Sequence, residues 1–219
     1  MIIAVDGFAA TGKSTLAKML SKHYEIPFVD SGALYRGITF FSIENDFIKG
    51  EELDQEALRT RLSEVKMKFD SQTGDLYLND KNIAEKIRRA EVSEYVSTIA
   101  ALDFVRAFVL SELRQMGNQN GLIMDGRDVG TVVFPDADFK FFFNASPEVR
   151  AERRFEEITA KGQKITFDEV LQNLLIRDKT DSERDLAPLK KAEDAIEVDT
   201  SNLTINQVFD FLIRTIALK

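Results

Sequence analysis

Gly7-Phe8-Ala9-Ala10-Thr11-Gly12-Lys13-Ser14 has the residue types and spacing of a loop that holds a chain of phosphates. It fits G-x-x-x-x-G-K-[ST], the phosphate-binding P-loop. Gly7 and Gly12 allow the backbone to turn its N–H groups inward around phosphate oxygens. A helix expected after the loop points its positive end at the same place. Lys13 supplies a mobile cation for the outer phosphates, and the Ser14 hydroxyl can ligate Mg²⁺. Thr15 closes the candidate nucleotide-binding stretch.

Arginines supply the second kind of chemistry. Arg36 and Arg127 each follow an apolar run that reads as a strand. Ligands bind beyond the carboxyl ends of such strands in an open α/β sheet. Arg150, Arg153 and Arg154 are spaced to share one helical face, and Arg177 and Arg184 share another with Asp181 between them. This distribution suits two groups of phosphates. An acceptor that is itself a phosphate monoester, with a second pKa of about 6, is already a nucleophile and needs no general base. A chain with one histidine, His23, and no cysteine can therefore catalyse its phosphorylation by alignment and charge neutralisation. Asp125 is the carboxylate expected near the metal; Asp30 and Asp128 are placed to hold arginines.

The 219 residues, 44% hydrophobic, suffice for one globular domain with an excursion or two. The lack of cysteine excludes disulfides and thiolate chemistry and fits a reducing, cytoplasmic setting. A formal net charge of −8 argues against general binding of nucleic acid. No run is long and apolar enough to span a membrane. The strand starting at Ile2 leaves no expected signal peptide.

The elements that position these residues alternate. Ile2–Asp6 reads as a buried strand, followed by a helix over about 13–24 with Leu16, Met19 and Leu20 on one face. Residues 27–30 read as a second strand, and a mixed helix runs from Leu34 to about 45. Asp54 is a plausible cap for a helix to about 64. Val65, Met67 and Phe69 then alternate with charged residues, Ser71–Asp75 is turn chemistry, and Leu76–Leu78 resumes the extended pattern. Such a hairpin must pack on something, either the segment around Ile83 or a helix. Residues 91–116 read as helix, with a break near Asp103. Strands are expected at 122–125, 139–144 and 195–199. Helices are expected from Pro147 to Gly162, from Phe167 toward Asp181, and after Thr204, the last with Val208, Phe211, Leu212 and Ile216 on its apolar face. The alternation predicts an α/β fold, a mostly parallel sheet with helices on both faces, into which the hairpin is inserted.

Three strings make the chain resemble the bacterial cytidylate kinase family: Asp30-Ser31-Gly32-Ala33-Leu34-Tyr35-Arg36, residues 125–137 (Asp-Gly-Arg-Asp-Val-Gly-Thr-Val-Val-Phe-Pro-Asp-Ala), and residues 177–184 (Arg-Asp-Lys-Thr-Asp-Ser-Glu-Arg). The resemblance spans essentially the whole chain. It implies a three-layer P-loop kinase fold with a core at about 1–35, 117–147 and 186–219, a monophosphate-binding insertion at about 36–116 and a helical lid at about 148–185. It implies transfer of the ATP γ-phosphoryl to CMP or dCMP with Mg²⁺, by a monomer. Ser97, Arg106 and Arg184 would face cytosine, Arg177 and Asp181 the ribose, Arg36 and Arg127 the acceptor phosphate. Ser31, Tyr35 and Asp128 complete the acceptor set, and Arg153 represents the lid arginines at the transferred group. The family loop begins Gly-Pro-Ser-Gly; Phe8, Ala9 and Ala10 stand here instead. A kinase of the same fold acting on another monophosphate or small metabolite, and a non-catalytic nucleotide-binding protein, are the alternatives. The absence of an Asn-Lys-x-Asp string argues against a guanine-nucleotide switch.

Overall fold

In the computed structural model, residues 1–50, 52–70, 73–117 and 121–218 are described. The chain divides into two compact units, Met1–Phe28 with Gln119–Lys219, and Val29–Asn118.

β1 (Ile2–Gly7) is an apolar run buried from Ile3 onward, and α1 (Lys13–Tyr24) follows the glycine loop. β2 (Phe28–Asp30) leads into α2 (Ser31–Glu44), whose first turn is capped by Asp30 accepting from the Ala33 N–H at 3.1 Å. β3 (Ile48–Lys49) and β4 (Glu52–Leu53) form a miniature antiparallel pair that the sequence pattern did not announce. Two-residue strands are too short to show a period. α3 (Gln55–Arg61) is capped by Asp54, and a 3₁₀ turn carries it on to Glu64. β5 (Met67–Phe69), β6 (Leu76–Leu78) and β7 (Lys81–Asn82) form a three-stranded antiparallel sheet. Ser71 and Gln72 of the expected turn lie outside the described residues. Both expected partners of the hairpin are used: Ile83 is 2% exposed, and a side chain at Gly37 of α2 would press on Met67, Leu76 and Ile83. α4 (Ala90–Ala100) and α5 (Asp103–Gly117) are broken where expected.

β8 (Leu122–Gly126) is followed by a π-helical turn over Val129–Val133. β9 (Phe139–Asn144), α6 (Pro147–Ala160), α7 (Phe167–Glu183), β10 (Ile196–Asp199) and α8 (Ile205–Ala217) complete the chain. Ser146, Thr166 and Thr204 cap the three helices, the last two in reciprocal capping boxes with Glu169 and Gln207.

The main sheet has the order β10-β9-β1-β8-β2. β1 runs parallel to both β8 and β9, with Ile3 opposite Ile123 and Phe139, and β10 runs parallel to β9. Ile3, Val5, Ile123, Phe141 and Phe143 meet Leu16 and Leu20 of α1 and Val208, Leu212 and Ile216 of α8 in one apolar core. Phe211, placed on that face by the sequence, is instead 43% exposed. The buried stripe of α8 advances by four residues from 208 to 216, and Phe211 falls beside it; Phe209 and Ile213 flank the core in its place. His23 is exposed, with its ring edge-on to Tyr24 and Phe209.

Gly7 closes β1 at φ 138°, and a Cβ there would lie 2.0 Å from the Phe143 carbonyl oxygen. A backbone atom cannot give way as a side-chain end can. Gly7→Ala is therefore expected to cost about 3 kcal/mol or more of unfolding free energy. Gly162 has φ 74° with open space around it. Gly162→Ala should cost only the about 1–2 kcal/mol of a left-handed residue. Denaturant unfolding of both variants checks the contrast; equal losses would contradict it.

Candidate active site

The loop is held from behind. The Phe8 N–H donates to the Phe143 carbonyl at 3.3 Å, and the Phe8 carbonyl accepts from Thr11 Oγ1 at 2.9 Å and Lys13 Nζ at 2.6 Å. Thr200, 2% exposed, donates its hydroxyl to the Thr11 carbonyl at 3.1 Å. Gly12 stands at φ 89° as the N-cap of α1 without a side-chain cap, which leaves first-turn N–H groups to a ligand. Ala10 takes φ 59°, a left-handed conformation that suits the glycine of the family loop better. Lys13 is 6% exposed. Its burial, then the Arg127 charge, lower its pKa to about 7, with Asp125 and Asp6 opposing and Arg177 adding to the shift.

Strand alternation puts Asp125 on the same face as Ile123, toward α1, and there the Ser14 hydroxyl hydrogen-bonds its Oδ2. One hydroxyl and one carboxylate are hard oxygen donors of the kind Mg²⁺ takes, few enough that phosphates and water would fill its other positions. Among the described residues no cluster of three or more His, Cys, Asp or Glu side chains forms an all-protein metal cage.

Asp181 organises the arginines of the first unit. Its carboxylate accepts from Arg127 Nε at 2.8 Å, with Arg177 Nε at 3.9 Å and Arg184 Nη1 at 3.8 Å. Arg184 also lies 3.7 Å from Asp128 and donates to the Ala187 carbonyl at 2.7 Å. Burial opposes the Asp181 charge, but Arg127 and Arg177 outweigh it and hold its pKa below the ordinary value. Asp181 is 7% exposed, whereas the Arg177 side chain that pairs with it across one turn is 38% exposed.

The three arginines of α6 are not equivalent. Arg150 is buried: its guanidinium lies 5.1 Å from the Phe8 ring centroid, its Nη2 2.7 Å from Asp178, and its Nε donates to the Ala145 carbonyl. Phe8 in turn meets Phe142 edge-on, so the aromatic ring that replaces the family's proline has a packed place. Arg153 donates to Thr200 Oγ1 at 3.0 Å and to the Thr200 carbonyl at 2.7 Å, which sets it against the wall of the loop. Arg154 pairs with Glu157.

The second unit carries the remaining candidates. Arg36 Nη2 lies 2.5 Å from Asp30, and its buried Nε has no hydrogen-bond partner among the described residues. Arg106, 8% exposed, donates to the Ala100 carbonyl at 3.2 Å and stands 5.4 Å from the Tyr35 ring. Ser31 is buried at the start of α2, and Ser97 is half-buried on α4.

Asp6, Thr200, Asp178 and the Lys140–Asp194 pair escaped the sequence reading. Asp6 alone carried a signal, a carboxylate ending an apolar strand. It is 5% exposed and accepts from the Val129 N–H at 2.9 Å and the Gly130 N–H at 2.7 Å.

A family model described as cytidylate kinase matches residues 3–218. The chain belongs to the cytidylate kinase family. It is 47% identical over 214 residues to a cytidylate kinase of Bacteroides thetaiotaomicron, covering 96% of this chain and 93% of that one. A cytidylate kinase of Flavobacterium psychrophilum is 44% identical over 215 residues, at 96% and 95% coverage. Among solved structures, an uncharacterized protein from Eubacterium ventriosum has a TM-score of 0.54 at 13% identity, covering 100% of this chain and 99% of that one. A sugar kinase from Janibacter has a TM-score of 0.50, also at 13% identity, with 98% and 93% covered. These two share the fold.

Burial, opposed by the Gly130 and Val129 N–H groups, raises the Asp6 pKa from 3.8 to about 6; Asp128 adds to the rise and Lys13 counters it. The native state of this cytidylate kinase family member therefore binds a proton at Asp6 that the unfolded chain has released. That contribution is full below about pH 4 and lost as pH rises through about 6. The stability of the wild type minus that of Asp6→Asn should fall by about 3 kcal/mol between pH 3.5 and 7. Urea unfolding across that range measures it; a difference that stays flat or rises with pH would contradict the assignment.

Proposed function

We propose that the protein transfers the γ-phosphoryl group of ATP to CMP or dCMP, giving ADP and CDP or dCDP. The observation that carries this is geometric: Asp125, which accepts from Ser14 of the donor loop, stands two residues before Arg127, whose Nε donates to Asp181, so donor-loop and acceptor-side residues occupy one neighbourhood. A lone triphosphate site has no use for the three arginines gathered on Asp181. Family membership supplies the base.

The acceptor phosphate attacks as a dianion, so no proton need be removed and the residues work by placement. Backbone N–H groups of residues 7–15 and Lys13 hold the ATP phosphates. Arg127, fixed by Asp181, and Arg36, fixed by Asp30, take the acceptor phosphate; Arg177 and Asp181 take the sugar, beside Asp128. Arg153 faces the transferred group from the proposed lid at about 148–185. Ser14 and Asp125 would hold Mg²⁺, which when bound neutralises phosphate charge. Arg106, Arg184 and Ser97 read cytosine, with Ser31 and Tyr35 lining the acceptor side. Cytosine offers two acceptors to guanidinium donors and an amino donor to a hydroxyl. The reading includes a cytoplasmic monomer that needs no nucleic acid. Among the described residues no helix is long and apolar enough to cross a membrane.

Lys13→Ala should lower turnover by about a hundredfold or more, the loss of roughly 3 kcal/mol of preorganised charge, with little change in melting temperature. Early melting with normal turnover would contradict its role. Uracil presents an N–H where cytosine has an acceptor, and a mismatched buried pair costs about 1–3 kcal/mol. UMP should therefore be a poor substrate. Arg106→Met and Arg184→Met should each depress kcat/KM for CMP while narrowing the CMP-to-UMP ratio. A coupled ADP-release assay over a set of nucleoside monophosphates reads both effects. Equal losses on CMP and UMP would remove these arginines from base recognition.

A further inference from the structure

Asp6 links the start of the phosphate loop to the turn that follows β8. It directly precedes Gly7, where the phosphate loop begins. Its carboxylate accepts two consecutive backbone N–H groups, from Val129 to Oδ1 at 2.9 Å and from Gly130 to Oδ2 at 2.7 Å. Those residues open the π-helical turn, whose first N–H groups have no partner inside it. Asp6 supplies these two N–H groups with their acceptors from another strand. Val132 and Val133 return their N–H groups to the Asp128 carbonyl, which ties Asp128 to the pinned turn. Arg127 comes immediately before.

The far end of the segment is held by a second buried charge. Lys140, 9% exposed, donates to the Pro135 carbonyl and to both carboxylate oxygens of Asp194, at 2.9 and 2.7 Å. The two anchors converge on Gly130, where a Cβ would stand 3.2 Å from Lys140 Cδ and 3.4 Å from Asp6 Oδ2.

We propose that Asp6 is a positioning residue for the acceptor phosphate: by pinning the turn after β8 it fixes Arg127 and Asp128 against the origin of the phosphate loop. This rests on the functional reading above, in which Arg127 meets the acceptor. The two N–H groups fall on different oxygens of the carboxylate, and an amide would set its NH₂ group against one of them.

The test is Asp6→Asn, with Gly130→Ala as the variant that disturbs the same clamp while keeping the charge. Two readouts are taken at a temperature where circular dichroism shows each protein folded. Amide exchange at Val129 and Gly130 should accelerate about tenfold or more in Asp6→Asn, and KM for CMP should rise by a similar factor, as expected for one unmet buried hydrogen bond. KM for ATP should stay within about twofold, the split that separates positioning from general loosening. If Asp6→Asn does not fold, Gly130→Ala is judged by the same criteria. An unchanged KM for CMP, or equal changes for CMP and ATP, overturns the inference. A wild type that phosphorylates no CMP sinks the functional reading itself; a wild type that does, with an indifferent variant, sinks this inference alone.

Discussion

Positive charge has to be buried and kept close together before any phosphate arrives, and the first unit is arranged around that constraint. Lys13 is 6% exposed beside Arg127 and Arg177, and their mutual repulsion would loosen the site if nothing offset it. Carboxylates do so. Asp181 gathers three guanidinium groups, Asp128 faces Arg184, Asp178 pairs with Arg150, and Asp125 faces Lys13 and Ser14. Burial alone would destabilise the Arg127 cation, yet Asp181 holds its pKa above the ordinary value. The second unit uses the same device on a smaller scale, where Asp30 both caps α2 and pairs with Arg36. A buried charge pair contributes little net stability by itself, but losing one partner is costly. The acids thus preserve a set of cations whose geometry is fixed in advance, which is what transition-state stabilisation by charge requires.

The frame that carries these charges is the sheet backbone, tied at its edge by a few buried side chains. β1 lies between β8 and β9, so the loop leaving β1 and the segment leaving β8 start from neighbouring strands. Gly7 touches the Phe143 backbone of β9, Thr200 ties the Thr11 carbonyl to the segment after β10, and Asp6 ties the turn after β8. Three strands of the sheet thereby fix one edge at which phosphates can be met. The loop itself carries strain at Ala10, of the kind that persists where surrounding structure enforces it.

The strand–loop–helix at the start was legible because its chemistry is local: glycines, lysine and serine at set spacing. So were the capping residues Asp54 and Thr204, and the break between α4 and α5. Arg127, Arg177 and Arg184 were legible as candidates, but not Asp181 as the anion that gathers them rather than as half of a helical pair. The role of Asp6 is not legible in the sequence, because its partners stand more than a hundred residues away and are backbone groups, which leave no mark in residue type. Spacing placed Arg150, Arg153 and Arg154 on one face; it could not tell that Arg150 would be buried on Phe8 while Arg154 stayed at the surface. Periodicity likewise put Phe211 on the core face, although the stripe through Val208, Leu212 and Ile216 already filled it.

The central claim is that the phosphoryl group passes from ATP to a phosphate acceptor without escaping to water. Phosphorus NMR of the protein with ATP, Mg²⁺ and CMP tests it most directly, because the diphosphate product and inorganic phosphate give separate signals. The account predicts that each ADP formed is matched by one CDP, with little inorganic phosphate and little ADP when CMP is left out. Inorganic phosphate accumulating at the same rate with and without CMP, and no CDP, would contradict it.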